Sequence, residues 1–119
     1  LLAIGTCAKK WGIEKGGSNG IYNIRTLDDA KSIMNKLPLV KNAVAIGSGF
    51  ISFEMLDVFI KAGIKTTEVM LEPYFWYPVL DKDGAEIIEK ALTSHGVTIL
   101  HENEITKIIG NSKRRKSKA

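Results

Sequence analysis

Gly47-Ser48-Gly49 stands where an apolar run gives way to an amphipathic one. Before it, Ala43-Val44-Ala45-Ile46 reads as a buried strand; after it, the chain to Gly63 reads as a helix. A glycine pair at a strand-to-helix turn suits one kind of chemistry, the holding of an anion. Gly47 allows a tight turn, and Gly49 lets backbone come close to a pyrophosphate. The first amides of the helix then face the anion, with the positive end of the helix dipole behind them. The spacing is the G-x-G of a dinucleotide fingerprint, in the strand–turn–helix context that such a fingerprint requires. The competing reading of the glycines alone is an ordinary connection with no ligand.

Other chemistries find less support. Cys7 is the only cysteine, so the chain has neither an internal disulfide nor a dithiol centre. A lone thiol with no activating neighbour is not read as a redox nucleophile. His95 and His101 lack a metal-ligand spacing with other donors, so no metal is expected, and no residue is read as catalytic. His95, just before Gly96, suits the carbonyl end of a helix. The net charge of +4 misleads. Lys113, Arg114, Arg115, Lys116 and Lys118 belong to a terminal tail, and the remaining 12 basic residues face 13 acidic ones. The tail has no interleaved aromatic residue for base stacking, so nucleic-acid binding is not expected.

The chain has 119 residues, enough for one domain and too few for two. A 45% hydrophobic and 25% charged composition is that of an ordinary globular protein. No apolar run approaches the roughly 20 residues that span a membrane, and no signal peptide is visible. A cytoplasmic protein is the expectation. Because the sequence opens on Leu1, it reads as a fragment or a processed chain.

The glycine turn has to be positioned by neighbouring elements. Leu1 to Ile4, ending at Gly5-Thr6, reads as a strand, and the glycine-rich stretch from Lys9 to Gly20 as a loop or linker. Ile21 to Ile24 is a short extended piece. Thr26 caps a helix with Asp28 and Asp29 in its first turn; Ala30, Ile33, Met34 and Leu37 form its apolar face, and Pro38 ends it. In the helix after the glycine turn, Ile51, Met55, Val58, Phe59 and Ala62 read as the buried stripe. A strand follows at Thr66 to Leu71, then an aromatic connection from Pro73 to Pro78, expected to pack against the sheet. Asp81 or Asp83 starts a third helix with Ile87, Ile88, Ala91 and Leu92 inward. Gly96 stops it, Val97 to Leu100 is another strand, and Ile105 to Ile109 is a last short one. From Asn111 the chain reads as a disordered basic tail. Alternating strands and helices predict an α/β domain with a parallel sheet.

With these residues in view, the chain resembles the pyridine-nucleotide-binding domain of FAD-dependent pyridine nucleotide-disulfide oxidoreductases. The subgroup it is most similar to contains NADH oxidase, rubredoxin or ferredoxin reductase and nitrite reductase-like flavoproteins. Ala43 to Glu54 matches the G-x-G-[YF]-I-G-x-E signature. Ile21 to Ala30 is similar to the segment leading into the nucleotide domain, Leu80 to Leu100 to the second crossover and strand, and Leu1 to Thr6 to the strand carrying the A-T-G motif.

The resemblance implies a Rossmann-like three-layer domain at residues 21–110, its short parallel sheet incomplete at the C-terminal edge. Residues 1–20 would be a remnant strand and linker from a flavin domain, and 111–119 the tail. It implies a cofactor site on Gly47, Ser48, Gly49, Phe50, Ile51, Ser52 and Glu54. Phe50 matches an aromatic position that shields the nicotinamide, and Glu54 the motif acid near the nicotinamide end. NAD(P)H would deliver hydride to FAD held by another domain or partner chain, so this chain alone would neither hold FAD nor turn over.

Three departures qualify that expectation. Ser52 replaces the third glycine, which lets helix and strand pack closely, so a slight opening is expected. Met70 aligns with the acid that binds the adenosine ribose, with Glu68 and Glu72 on either side; Glu72 is the candidate ribose ligand. No Arg or Lys lies between Glu68 and Tyr77, which favours NAD(H) over NADP(H). The family's β-meander has no counterpart after Ile109, which would leave apolar surface for self-association into a homo-oligomer or for docking. The alternative is therefore a nonenzymatic fragment that associates without binding nucleotide.

Overall fold

A computed structural model describes residues 20–110, together with Ala3 and the backbone of Glu14 and Lys15. The strand expected at Leu1–Thr6 (Ala3 apart), Cys7 and the basic tail lie outside the described residues.

Strand β1, Glu14–Lys15, falls within the stretch expected as loop or linker. Thr26 then opens helix α1, Leu27–Met34, with a capping box. The Asp29 amide donates to Thr26 Oγ1 at 3.2 Å, and the Thr26 amide donates to Asp29 Oδ2 at 2.8 Å. Each side chain thereby satisfies a donor that the helix itself leaves unpaired. Hydrogen bonds from Thr26 hold the Asp29 carboxyl below the usual carboxylate range. The helix ends at Met34, before Pro38, because the chain tightens first. Lys36 N–H donates to Ile33 O at 2.8 Å, and Leu37–Leu39 follow as a 3-10 turn containing the proline. Met34, expected to face inward, is 58% exposed.

Strand β2 (Asn42–Ile46), helix α2 (Phe50–Lys61), strand β3 (Lys65–Val69), helix α3 (Lys82–Ser94) and strand β4 (Thr98–Leu100) follow. The three strands form a parallel sheet in the order β2-β3-β4. The alternation had predicted this arrangement. Strand β5, Lys107–Ile108, pairs with β1 in a separate parallel bridge. Of the two expected starts, Asp81 and Asp83, it is Asp81 that accepts from the Gly84 amide at 2.8 Å and opens α3. Gly63 and Gly96 follow α2 and α3 with φ of +69° and +85°.

The core lies on one face of the sheet. Ala45, Glu68 and Ile99 are register neighbours across the three strands, and α2 and α3 cover them. Leu56 of α2, Ala85 of α3 and Phe75 of the connecting loop are fully buried, and Met70, Leu92 and Val97 nearly so. The opposite face carries Val44, Ile46 and Leu100, each still substantially exposed. No described helix is long and apolar enough to cross a membrane.

Both helix faces differ from expectation. In α2, Ile51 is 62% exposed and Ala62 is exposed, whereas Leu56 carries the contact, flanked by Phe53, Phe59 and Ile60. Eight of the twelve residues of α2 are apolar, so periodicity permits more than one buried stripe. Ser52, the smallest residue of the first turn, faces β3. In α3, Ile88 and Leu92 face inward as expected and Ala85 joins them, but Ile87 is 71% exposed and Ala91 is exposed.

Candidate functional site

At the carboxyl ends of β2 and β3 lies an open cavity of about 450 Å³. One wall is Gly47 to Phe50; the other is Glu72, Trp76, Tyr77 and Val79 from the connection between β3 and α3. Open parallel sheets place ligands at this end of their strands.

The turn is built as the glycines require. Gly47 has φ +112°, a conformation costly for any side chain, and its N–H donates to Val69 O at 2.9 Å. Gly49 differs. Its φ of −84° suits any residue, and a Cβ there would meet nothing within 4 Å. The fold itself therefore does not demand glycine at 49. Gly49 is also the N-cap of α2, which has no side-chain cap, whereas α1 and α3 are capped by Thr26 and Asp81. The leading amides of α2 thus have no N-cap side chain to answer them or the helix dipole.

The other wall is aromatic. Phe50, 65% exposed, lies against Trp76 with ring centroids 4.7 Å apart, and Phe53 meets Trp76 edge-on at 5.3 Å. Trp76 has φ +58°, and its carbonyl accepts from Val79 N–H at 2.7 Å, turning the chain so that Tyr77 and Val79 face the cavity. Phe75 packs in the core as expected of this connection, but Trp76, Tyr77 and Val79 reach the cavity as well. The aromatic cluster was visible in the sequence; its division between core and cavity was not.

The structure thus brings together Gly47, Ser48, Gly49, Phe50 and Glu72. Ile51, Ser52 and Glu54 lie outside the cavity lining: Ile51 and Glu54 are exposed on α2, and Ser52 turns toward the sheet. Met70 is 1% exposed and belongs to the core, while Glu72 emerges at the cavity.

Beneath the turn, Glu68 is 0% exposed. Ser52 Oγ donates to its Oε1 at 2.7 Å, and its Oε2 has no partner. Burial disfavours the charged form and pushes this carboxyl up to about 7, against a smaller opposing effect of the Ser52 hydrogen bond. Farther along the sheet, Glu89 Oε1 accepts from the Phe75 amide at 3.3 Å. Its Oε2 lies 3.0 Å from His101 Nε2, close enough for an ion pair when the imidazole is protonated but not aligned as a hydrogen bond. No cluster of metal-ligating side chains occurs among the described residues.

Residues 1–119 match the family pattern described as pyridine nucleotide-disulphide oxidoreductase. An NADH oxidase of Methanocaldococcus jannaschii is 28% identical over 103 residues, covering 85% of this chain and 23% of the relative. Two solved structures share the fold. A ferredoxin reductase from Rhodopseudomonas palustris superposes with a TM-score of 0.83 at 21% identity, over 89% of this chain and 26% of its own. A water-forming NADH oxidase from Lactobacillus brevis, bound to NADH, does so with a TM-score of 0.80 at 18% identity, over 89% and 23%. The chain therefore spans about a quarter of the length of these relatives. With a glycine turn at the ends of a Rossmann-type parallel sheet and the family's sequence pattern running from Leu1 to Ala119, this chain belongs to the pyridine nucleotide-disulphide oxidoreductases.

Proposed function

We propose that this chain binds a nicotinamide dinucleotide and presents it to FAD held elsewhere in a longer protein or on a partner chain. The observation that carries this reading is Gly49. A residue with ordinary backbone angles and free space at its Cβ position caps the one α-helix among the described residues that lacks a side-chain cap. A pyrophosphate seated there would meet the α2 amides at backbone distance, which a side chain at 49 would prevent. Bound NADH supplies the hydride. The residues of this chain hold and orient it, and no acid or base is needed for that step.

Glu72 is suited to accept hydrogen bonds from the adenosine ribose hydroxyls, taking the role the family gives to the position of Met70. Among the described residues no Lys or Arg lines the cavity, so a 2′-phosphate would face a carboxylate with no counter-charge there. NAD(H) is therefore favoured over NADP(H). Nothing in this stretch offers a second dinucleotide fingerprint for FAD, so the flavin belongs to another part of the protein.

Titration with NADH and NADPH, following tryptophan emission, tests the reading because Trp76 lines the cavity. Saturable NADH binding with weaker NADPH binding is expected, and Glu72→Gln should weaken NADH binding and narrow the gap between the cofactors. A folded chain that saturates with neither cofactor would overturn it. The exposed Val44, Ile46 and Leu100 face favours a second reading, association without nucleotide. Mass that rises with concentration, with no NADH response, would support that reading instead.

A further inference from the structure

The glycine turn is clamped from one side by two consecutive residues of β3. Val69 holds its start through the Gly47 amide at 2.9 Å, and Glu68 holds the far side through the Ser52 hydroxyl at 2.7 Å. Ser52 lies three residues beyond Gly49, in the first turn of α2, whose next amide, that of Phe53, donates to Gly49 O at 3.1 Å. Anything that moves Ser52 thus moves the amides of the candidate anion site. The Glu68 carboxyl beneath is sealed from water, has a single hydrogen-bond partner and leaves Oε2 without one.

We propose that Glu68 is a positioning residue for the dinucleotide-binding turn, acting through Ser52, and that it holds the turn in its binding geometry only as the neutral acid. The inference rests on the dinucleotide reading above. Two effects point the same way. An ionised carboxylate in this pocket must draw in water or a new donor, and the segment hydrogen-bonded to it is the first turn of α2. A charge buried below the turn also repels an incoming pyrophosphate through a medium that screens poorly.

Among the described residues no other charge competes for control of Glu68. Its register neighbours, Ala45 in β2 and Ile99 in β4, carry none, and α2 offers it Ser52 alone. On the elements packed around it, Glu54, Asp57 and Lys61 of α2 are exposed, with Lys61 paired to Asp57, and Lys65 is exposed at the start of β3. Glu89 of α3 and His101 after β4 face each other. The carboxyl is pushed up to about 7 by burial, which places the change within the ordinary working range.

The test uses the full chain. Amide resonances of Ser48, Gly49 and Phe50 are followed from about pH 5 to about pH 9 without ligand, in the native protein and in Glu68→Gln. A common titration present in the native chain and absent from Glu68→Gln is expected; resonances that stay still, or move alike in both, overturn the proposal. NADH affinity is then compared at about pH 6 and about pH 8.5. Linkage gives a weakening of up to about 30-fold for the native chain if the bound form keeps the proton throughout, and a flat profile for Glu68→Gln. Equal native affinity at both values overturns the binding half. Failure of NADH to bind at any pH defeats the dinucleotide reading instead, while the ligand-free titration still decides whether Glu68 controls the turn. Ser52→Ala, which removes the link but keeps the acid, should uncouple the turn resonances from the Glu68 titration.

Discussion

Replacing Glu68 by Gln should abolish the pH dependence of stability that this one side chain imposes. The carboxyl moves from an ordinary 4.5 to about 7 on folding. In the unfolded chain the proton leaves first, so the unfolded state is increasingly favoured from about pH 4.5 upward, until the folded state also releases its proton near 7. The stabilisation associated with the neutral acid is complete below the unfolded value, declines through that window and is gone above it. At roughly 1.4 kcal/mol per pH unit, the loss between about pH 4 and about pH 8 comes to about 3 kcal/mol. Gln keeps the shape and cannot ionise. Its amide nitrogen inherits the unpartnered place of Oε2, which costs about 1–3 kcal/mol at every pH and does not alter the slope. Urea unfolding of both proteins at a series of pH values isolates the effect, because every other titrating group cancels in the difference. Native stability should fall by about 3 kcal/mol relative to the variant across the window. Parallel stability profiles would refute the burial argument, since they would mean that Glu68 is hydrated or paired in solution.

Three further substitutions probe the frame that carries the site. Leu56→Ala empties a fully buried position between α2 and the sheet and should cost about 2–5 kcal/mol in chemical denaturation, whereas Ile51→Ala, on the exposed side of the same helix, should change stability by less than about 1 kcal/mol. Thr26→Ala removes the Thr26 half of the capping box and should cost about 0.5–2 kcal/mol, read in the same assay, with no change in NADH affinity because α1 contributes nothing to the cavity.

What could be read in the sequence was local. Thr26 with Asp29 and Asp81 with Gly84 act on partners three residues away, and Gly47 bends its own backbone at the end of β2, so their types and spacing announce two helix starts and a turn. The strand–helix alternation followed from runs of similar reach, and the family resemblance rested on the same short patterns. The short strand β1 escaped notice because its partner β5 lies more than 90 residues away and a glycine-rich stretch gives no period. The buried side of α2 could not be read, since a helix apolar nearly all round takes its orientation from what it packs against. Only the tertiary structure turned Met70 into the core, delivered Glu72, Trp76 and Tyr77 to the glycine turn, and set Ser52 on Glu68 across 16 residues. Those contacts join segments whose separation along the chain carries no record of their distance in space. The sequence by itself determined where the glycine turn would form; the packing of β3 beneath α2 decided what lines it and which buried carboxyl it rests on.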